Sequence, residues 1–266
     1  MRIGDKLKQI LIGIFLVLSS ATNAFAAGGG GGHFSWTNFI PGVKENHLAH
    51  VATMAIVSVF ALLFALFARM KLGQGEAAVT PEGKLSVRGF FEVVLEFING
   101  LADMVIGHHG RQFAPMFASI FLFIFLNNAV GLIPGMTSPT DNLNSGLALG
   151  LFTFFVYNYY GFKENGFVNY VKHFMANLTK GPWLIMGLLL LLLELISHFV
   201  RPLTLGLRLM ANLQGDHTIL GVFTDLVPIG VPVAFYVLGL FVCFMQAFIF
   251  TVLSMVYISI ATAHDH

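Results

Sequence analysis

The sequence predicts an all-α polytopic membrane protein: about five transmembrane helices, the last two forming a long tilted hairpin, plus an amphipathic surface helix. Three observations lead there. Of 266 residues, 56% are hydrophobic and only 10% charged. Soluble domains carry roughly a quarter charged residues, so this chain has too little polar surface to coat a water-soluble fold of its size. Several stretches free of Asp, Glu, Lys and Arg are long enough to cross a hydrocarbon core of ~30 Å. Lys and Arg gather in alternate connections, the asymmetry that orients helices in a membrane. The formal net charge of +1 offers no basic field for nucleic acid. Cys243 is the one cysteine, which excludes an intrachain disulfide and a cysteine metal cluster. The G-x-x-x-x-G-K, H-E-x-x-H and G-x-S-x-G signatures of soluble enzymes are missing.

Residues 1–26 read as a signal peptide. Arg2, Lys6 and Lys8 give a positive start, Ile10 to Leu18 an apolar stretch, and Ala24-Phe25-Ala26 a small-residue cleavage site; an uncleaved first membrane helix is the alternative. Residues 27–46, with Gly28 to Gly32 and Trp36, form an extracytoplasmic leader ending at an interfacial anchor. From 47 to 266 the chain is one membrane domain. Its first three spans are expected at about 47–69, 112–133 and 145–162. Between the first and second lie Arg69, Lys71, Lys84, Arg88 and Arg111, and after the third come Lys163, Lys172 and Lys180. The loops Pro134 to Asn144 and Asp216 to Gly230 hold no Lys or Arg. The positive-inside rule therefore puts the mature start outside and the carboxyl end in the cytoplasm.

Within the first basic connection, Glu92, Glu96, Asn99 and Asp103 recur at helical spacing, and Phe91, Val94, Leu95, Ile98, Leu101 and Val105 cover the other side. That is an amphipathic helix from Arg88 to Val105, expected along the cytoplasmic membrane surface. His108 and His109 follow it. Adjacent histidines diverge and no carboxylate stands at ligand spacing, so they are expected as solvated loop residues with no metal.

The last two spans, about 183–217 and 231–262, are too long to stand upright. At 1.5 Å per residue they reach ~52 and ~48 Å, so they must tilt, break or extend outside the bilayer. Pro202 is a candidate kink or new helix start, and Gly215, Pro228, Gly230 and Pro232 mark the turn between them. Glu194, His198, Arg201, Arg208, Asn212 and Asp216 fall within about 40° of one line on the first of these helices. An Arg at membrane depth costs ~2.5–3.5 kcal/mol, so such a stripe lines a wet path or faces charged partners. Glu194, His198 and Arg201 sit close enough for the alternative of a local bracing cluster near the cytoplasmic end. Arg208 does not: its nearest in-line acid is Asp216, two turns away, and its counter-charge must come from elsewhere, another chain included.

At Leu205-Gly206-Leu207-Arg208-Leu209-Met210-Ala211-Asn212, preceded by Arg201-Pro202 and by Glu194, the chain resembles subunit a of the membrane (Fo) sector of bacterial F-type ATP synthases. Two further blocks carry the resemblance: Gln246 to Phe250 with Val252-Leu253 and Tyr257, and Phe125 to Asn128 running to Pro134, with Asn142 and Asn144 after it. Two departures stand out. Nine residues after Arg208, where many bacterial members carry Glu, this chain has His217, preceded by Asp216. Seven before Gln246, where relatives carry His or an acid, it has Gly239.

The resemblance implies a proton-conducting stator in the bacterial inner membrane, giving two half-channels to a rotating ring of c subunits and contacting b-type peripheral stalk subunits. The translocated ion is a proton, with sodium the other candidate. The residues it singles out are Arg208, facing the ring carboxylate, with Gln246, Asn212, Glu194, His198, Asp216, His217 and Asn128. It implies no cofactor, no metal and no catalysis by the chain alone, the ATP chemistry belonging to a soluble head. Asp216 and His217, at the outward end of the long helix, are expected to relay protons in place of the partner lost at Gly239. A stand-alone ion transporter or channel is the rival, though the chain shows no internal repeat of the kind such folds often carry. An intramembrane enzyme is the other, but neither Ser145 nor Cys243 has an activating base in the sequence.

Overall fold

The computed structural model describes residues 49–70, 86–133, 136, 138–166, 184–226 and 231–262. The expected signal and leader, Lys71, Lys84, Lys172, Lys180 and the 227–230 turn lie outside the described residues. Within them the chain is all-α, with six α-helices: α1 Ala49–Met70, α2 Val87–Val105, α3 Ala114–Val130, α4 Leu143–Asn165, α5 Leu184–Leu226 and α6 Val231–Thr262. Short 3-10 turns precede α3 (His108–Phe113) and α4 (Pro139–Asp141).

Four helical stretches are long and apolar enough to cross a membrane: His50–Met70, Gly110–Val130, Met186–Phe223 and Val233–Thr262. The expected third span is α4. Its 23 residues reach ~35 Å, but glycines, Asn144, Asn158, Lys163 and Glu164 dilute its apolarity. Asn144, Lys163 and Glu164 stay exposed near its ends, while Asn158 is sheltered where α4 packs on both α5 and α6. At the α4–α5 crossing the backbones touch. A Cβ at Gly146 would lie 2.6 Å from the Gly206 carbonyl oxygen, and one at Gly150 would collide with the Pro202 carbonyl. Asn142 caps α4 by accepting from the Asn144 amide.

The amphipathic α2 forms as expected, capped by Ser86 Oγ accepting from Gly89 N at 3.0 Å. Part of its apolar side serves the bundle rather than a bilayer surface. Ile98 and Ala102 are fully buried, and the Phe97 ring lies 6.0–6.3 Å from those of Phe121, Phe244 and Phe248. Arg88 is buried against Glu92, and Arg111 pairs with Asp103 at 2.7 Å. Asn165 Nδ2 donates to the Ala261 carbonyl at 2.9 Å, and Ser259 Oγ to the Val105 carbonyl at 3.3 Å. The carboxyl ends of α2, α4 and α6 therefore meet at one end of the bundle.

Two expectations for α5 need correction. Pro202 does not start a second helix; α5 runs through it. Proline removes one i→i−4 bond, and the Thr204 hydroxyl donates to the Arg201 carbonyl at 2.9 Å beside the defect. The helix also does not stop near Gly215. It continues to Leu226, 43 residues and ~65 Å in all, because a glycine costs only about 1 kcal/mol in a helix and the apolar spacing resumes beyond it. Leu220 is buried, and Phe223 stacks on Phe235 of α6 at 4.5 Å.

Candidate functional site

α5 and α6 pack as an antiparallel pair, and their polar side chains meet in register. The Arg201 guanidinium carbon sits 5.5 Å over the Tyr257 ring, Asn212 meets Gln246, Asp216 meets Gly239, and Phe223 meets Phe235. The stripe predicted on α5 is thereby divided into three stations.

At the end shared with the α4 and α6 termini, Arg201 donates to Glu194 Oε1 at 2.6 Å, two turns apart on one face. These two make the local brace foreseen as an alternative. His198, expected to join it, turns toward α4 instead. It is 4% exposed, with Nε2 2.9 Å from Asn158 Oδ1 and its ring edge-on to Phe154 and Tyr157.

In the middle stands Arg208. It is half-buried, next to the buried Leu209 and the exposed Leu207. Among the described residues its guanidinium has no hydrogen bond and no ion pair. One turn on, Asn212 Nδ2 donates to Gln246 Oε1 at 2.7 Å. Gln246, 3% exposed, is thus engaged by Asn212.

At the third station Asp216 and His217 diverge, as neighbours 100° apart on a helix must. Asp216 turns to α6, where a Cβ at Gly239 would lie 2.9 Å from its Oδ2. His217 turns to the end of α3, its Nε2 3.1 Å from where a Gly131 Cβ would be. Neither is at a helix end, because α5 continues past them.

Beside them Asn128 is fully buried, its Oδ1 accepting from Thr140 Oγ1 at 2.5 Å. Ser138 Oγ lies 2.9 Å from that hydroxyl and donates to the Asn127 carbonyl at 3.2 Å. Asn127 Oδ1 and Asn128 Nδ2 are buried without a hydrogen-bond partner among the described residues. Buried polar atoms left unmatched are sites for water. Among the described residues no group of three His, Cys, Asp or Glu could hold a metal ion.

The sequence singled out Asn128 and His198 but not their partners: Thr140, backed by Ser138, for Asn128, and Asn158 for His198. Asn158 had a readable signal, a lone mid-span amide that lipid would not tolerate unpaired. Ser138 and Thr140 had none, since short hydroxyl side chains in a loop show no periodicity.

The family model described as ATP synthase A chain matches residues 49–259. The chain is 54% identical to the ATP synthase subunit a of Bdellovibrio bacteriovorus over 233 residues, covering 88% of this chain and 99% of that one. It is 39% identical to that of a Sulfurihydrogenibium species, over 83% of this chain and 98% of the relative, and 35% identical to that of Trichlorobacter lovleyi, over 83% and 94%.

Proposed function

The chain belongs to the ATP synthase A chain family, subunit a of the F-type enzyme, and from that premise we propose that it is the proton-conducting stator of the complex, serving a ring of c subunits through two half-channels. The observation that carries this is Arg208: a half-buried cation on an apolar helix, without a partner among the described residues. Desolvation keeps a ring carboxyl neutral while it faces lipid. On meeting Arg208 at ~4 Å, with an effective dielectric of ~20, its charged form gains ~4 kcal/mol, about three pKa units. That drives the proton off. A guanidinium does not deprotonate at accessible pH, so it separates the two water paths without passing protons between them. Chain catalysis is not required; ATP chemistry belongs to the soluble head.

The two paths reach Arg208 from opposite ends of α5. Glu194 and His198 lie ~21 and ~15 Å along the axis on one side, and Asp216 and His217 ~12 and ~14 Å on the other. In this reading the first pair opens to the cytoplasm and the second, with Asn128, to the outside, a direction supported by the distribution of basic residues under the positive-inside rule. Asn212 and Gln246 brace α5 on α6 one turn from the cation, a bond worth about 1 kcal/mol in a membrane. The b-type stalk subunits hold the stator against the turning ring. We read the coupling ion as a proton, with sodium the other candidate, because the choice between them rests on the ring's own ion site.

Arg208→Ala in the assembled enzyme should abolish proton-driven ATP synthesis, and Arg208→Lys should fail nearly as badly, since an ammonium lacks the fork that spans a carboxylate and can itself deprotonate when desolvated. Growth of Arg208→Ala cells at the wild-type rate on a non-fermentable carbon source would refute the assignment.

A further inference from the structure

Proton exchange at a histidine depends on which ring nitrogen holds the hydrogen at rest, and α4 supplies the group that decides it for His198. The Asn158 amide is oriented by its own helix: Nδ2 donates to the Phe154 carbonyl one turn back at 2.7 Å. Oδ1 is then aimed at His198 Nε2, 2.9 Å away. An amide oxygen only accepts, so the hydrogen lies on Nε2 and the lone pair on Nδ1. The buried ring is held edge-on to Phe154 and Tyr157, with centroids 5.0 and 5.2 Å apart. The Tyr157 hydroxyl is 3.4 Å from either ring nitrogen, too long and too even to choose between them.

We propose that Asn158 is a positioning residue for proton exchange at His198, holding the imidazole as its Nε2–H tautomer so that Nδ1 is the nitrogen that takes up and releases the proton. This rests on the reading of His198 as part of the proton path. The step is a protonation alone: Nδ1 accepts a proton to give the imidazolium and returns it, while the Nε2–H bond to Asn158 stays made. Among the described residues, charged and titratable groups near the ring include Glu194 and Arg201 on α5, Tyr157 on α4, and Tyr257 of α6, which lies against both Tyr157 and Arg201. Glu194 and Arg201 are paired to each other, so their fields at the ring oppose.

The test is passive proton flux through the membrane sector, with the catalytic head stripped from vesicles, over about pH 6 to 8 and normalised to assembled subunit. Asn158→Leu removes the acceptor at similar volume; flux should fall several-fold and its pH profile move to lower pH. Asn158→Asp keeps an acceptor oxygen and adds negative charge; flux should persist with the profile moved to higher pH. If the leucine variant does not assemble, the aspartate variant carries the comparison. In a His198→Gln background neither substitution should alter the profile further. Wild-type flux at every pH in His198→Gln alone would remove His198 from the path, and the proposal with it. An impaired His198→Gln beside unchanged profiles in both Asn158 variants would overturn the positioning role only. So would a pH-independent loss that recurs in the His198→Gln background, which would make Asn158 a packing residue.

Discussion

Asp216 fills the space that Gly239 leaves open, and this fit gives the departure from the family's pattern a physical form. A methyl group at 239 would lie 2.9 Å from Asp216 Oδ2 and 2.8 Å from Leu132 Cδ2. Both are free ends of side chains, so Gly239→Ala should assemble in wild-type amount yet slow proton-driven synthesis several-fold by displacing the carboxyl. A wild-type synthesis rate in vesicles would mean that the position of Asp216 is immaterial. Replacing Asp216 and His217 together by Asn and Gln should also slow synthesis several-fold with assembly intact; wild-type pumping across about pH 6 to 8 would leave them as bystanders. At this scale Arg208 was legible because an unbalanced charge among apolar residues needs no neighbour to be conspicuous. The partners of Asn128 and His198 were not, since helices brought together by the fold supply them.

Helix α5 depends on features that a local reading of its sequence treats as faults. Pro202 and Gly215 both suggested interruption, yet the helix carries both, because α4 lies on its Gly206 and Pro202 carbonyls and α6 holds its far end through Phe235. Tertiary contact outweighs propensity here. Gly146→Val should separate the crossing, since the obstacle is backbone rather than a movable side chain. The expected result is little or no assembled subunit in membranes by immunoblot, while Gly100→Ala, with nothing within 4 Å of its Cβ, should assemble normally. Wild-type levels of Gly146→Val would show that the close approach is dispensable. The amphipathic α2 was legible from its four-three-four spacing of polar groups. That it would also give Ile98 and Ala102 to the bundle core was not, because periodicity tells which side is apolar and not what covers it.

For the whole molecule, the all-α class was legible from composition, and the charge-free stretches located the helices within a few residues. The exception was the end of α5, where the turn residues were weighed above the apolar spacing that outlasts them. Orientation is testable on one helix. Asn144 and Lys163 lie exposed near opposite ends of α4, about 29 Å apart along its axis. Asn144→Cys and Lys163→Cys should react with impermeant maleimide from opposite sides of the membrane, Asn144→Cys from outside, and the buried Cys243 should stay silent. Labelling of both from one side would refute the proposed topology. The α4–α5 crossing also has a mechanical meaning. Side chains yield by changing rotamer, but at Gly146 and Gly150 no side chain stands between the two backbones. Under the proposed stator role, a sideways push on α5 from a turning ring would meet peptide planes directly, and the seam would act as a stiff bearing that returns the torque to the body of the subunit instead of absorbing it.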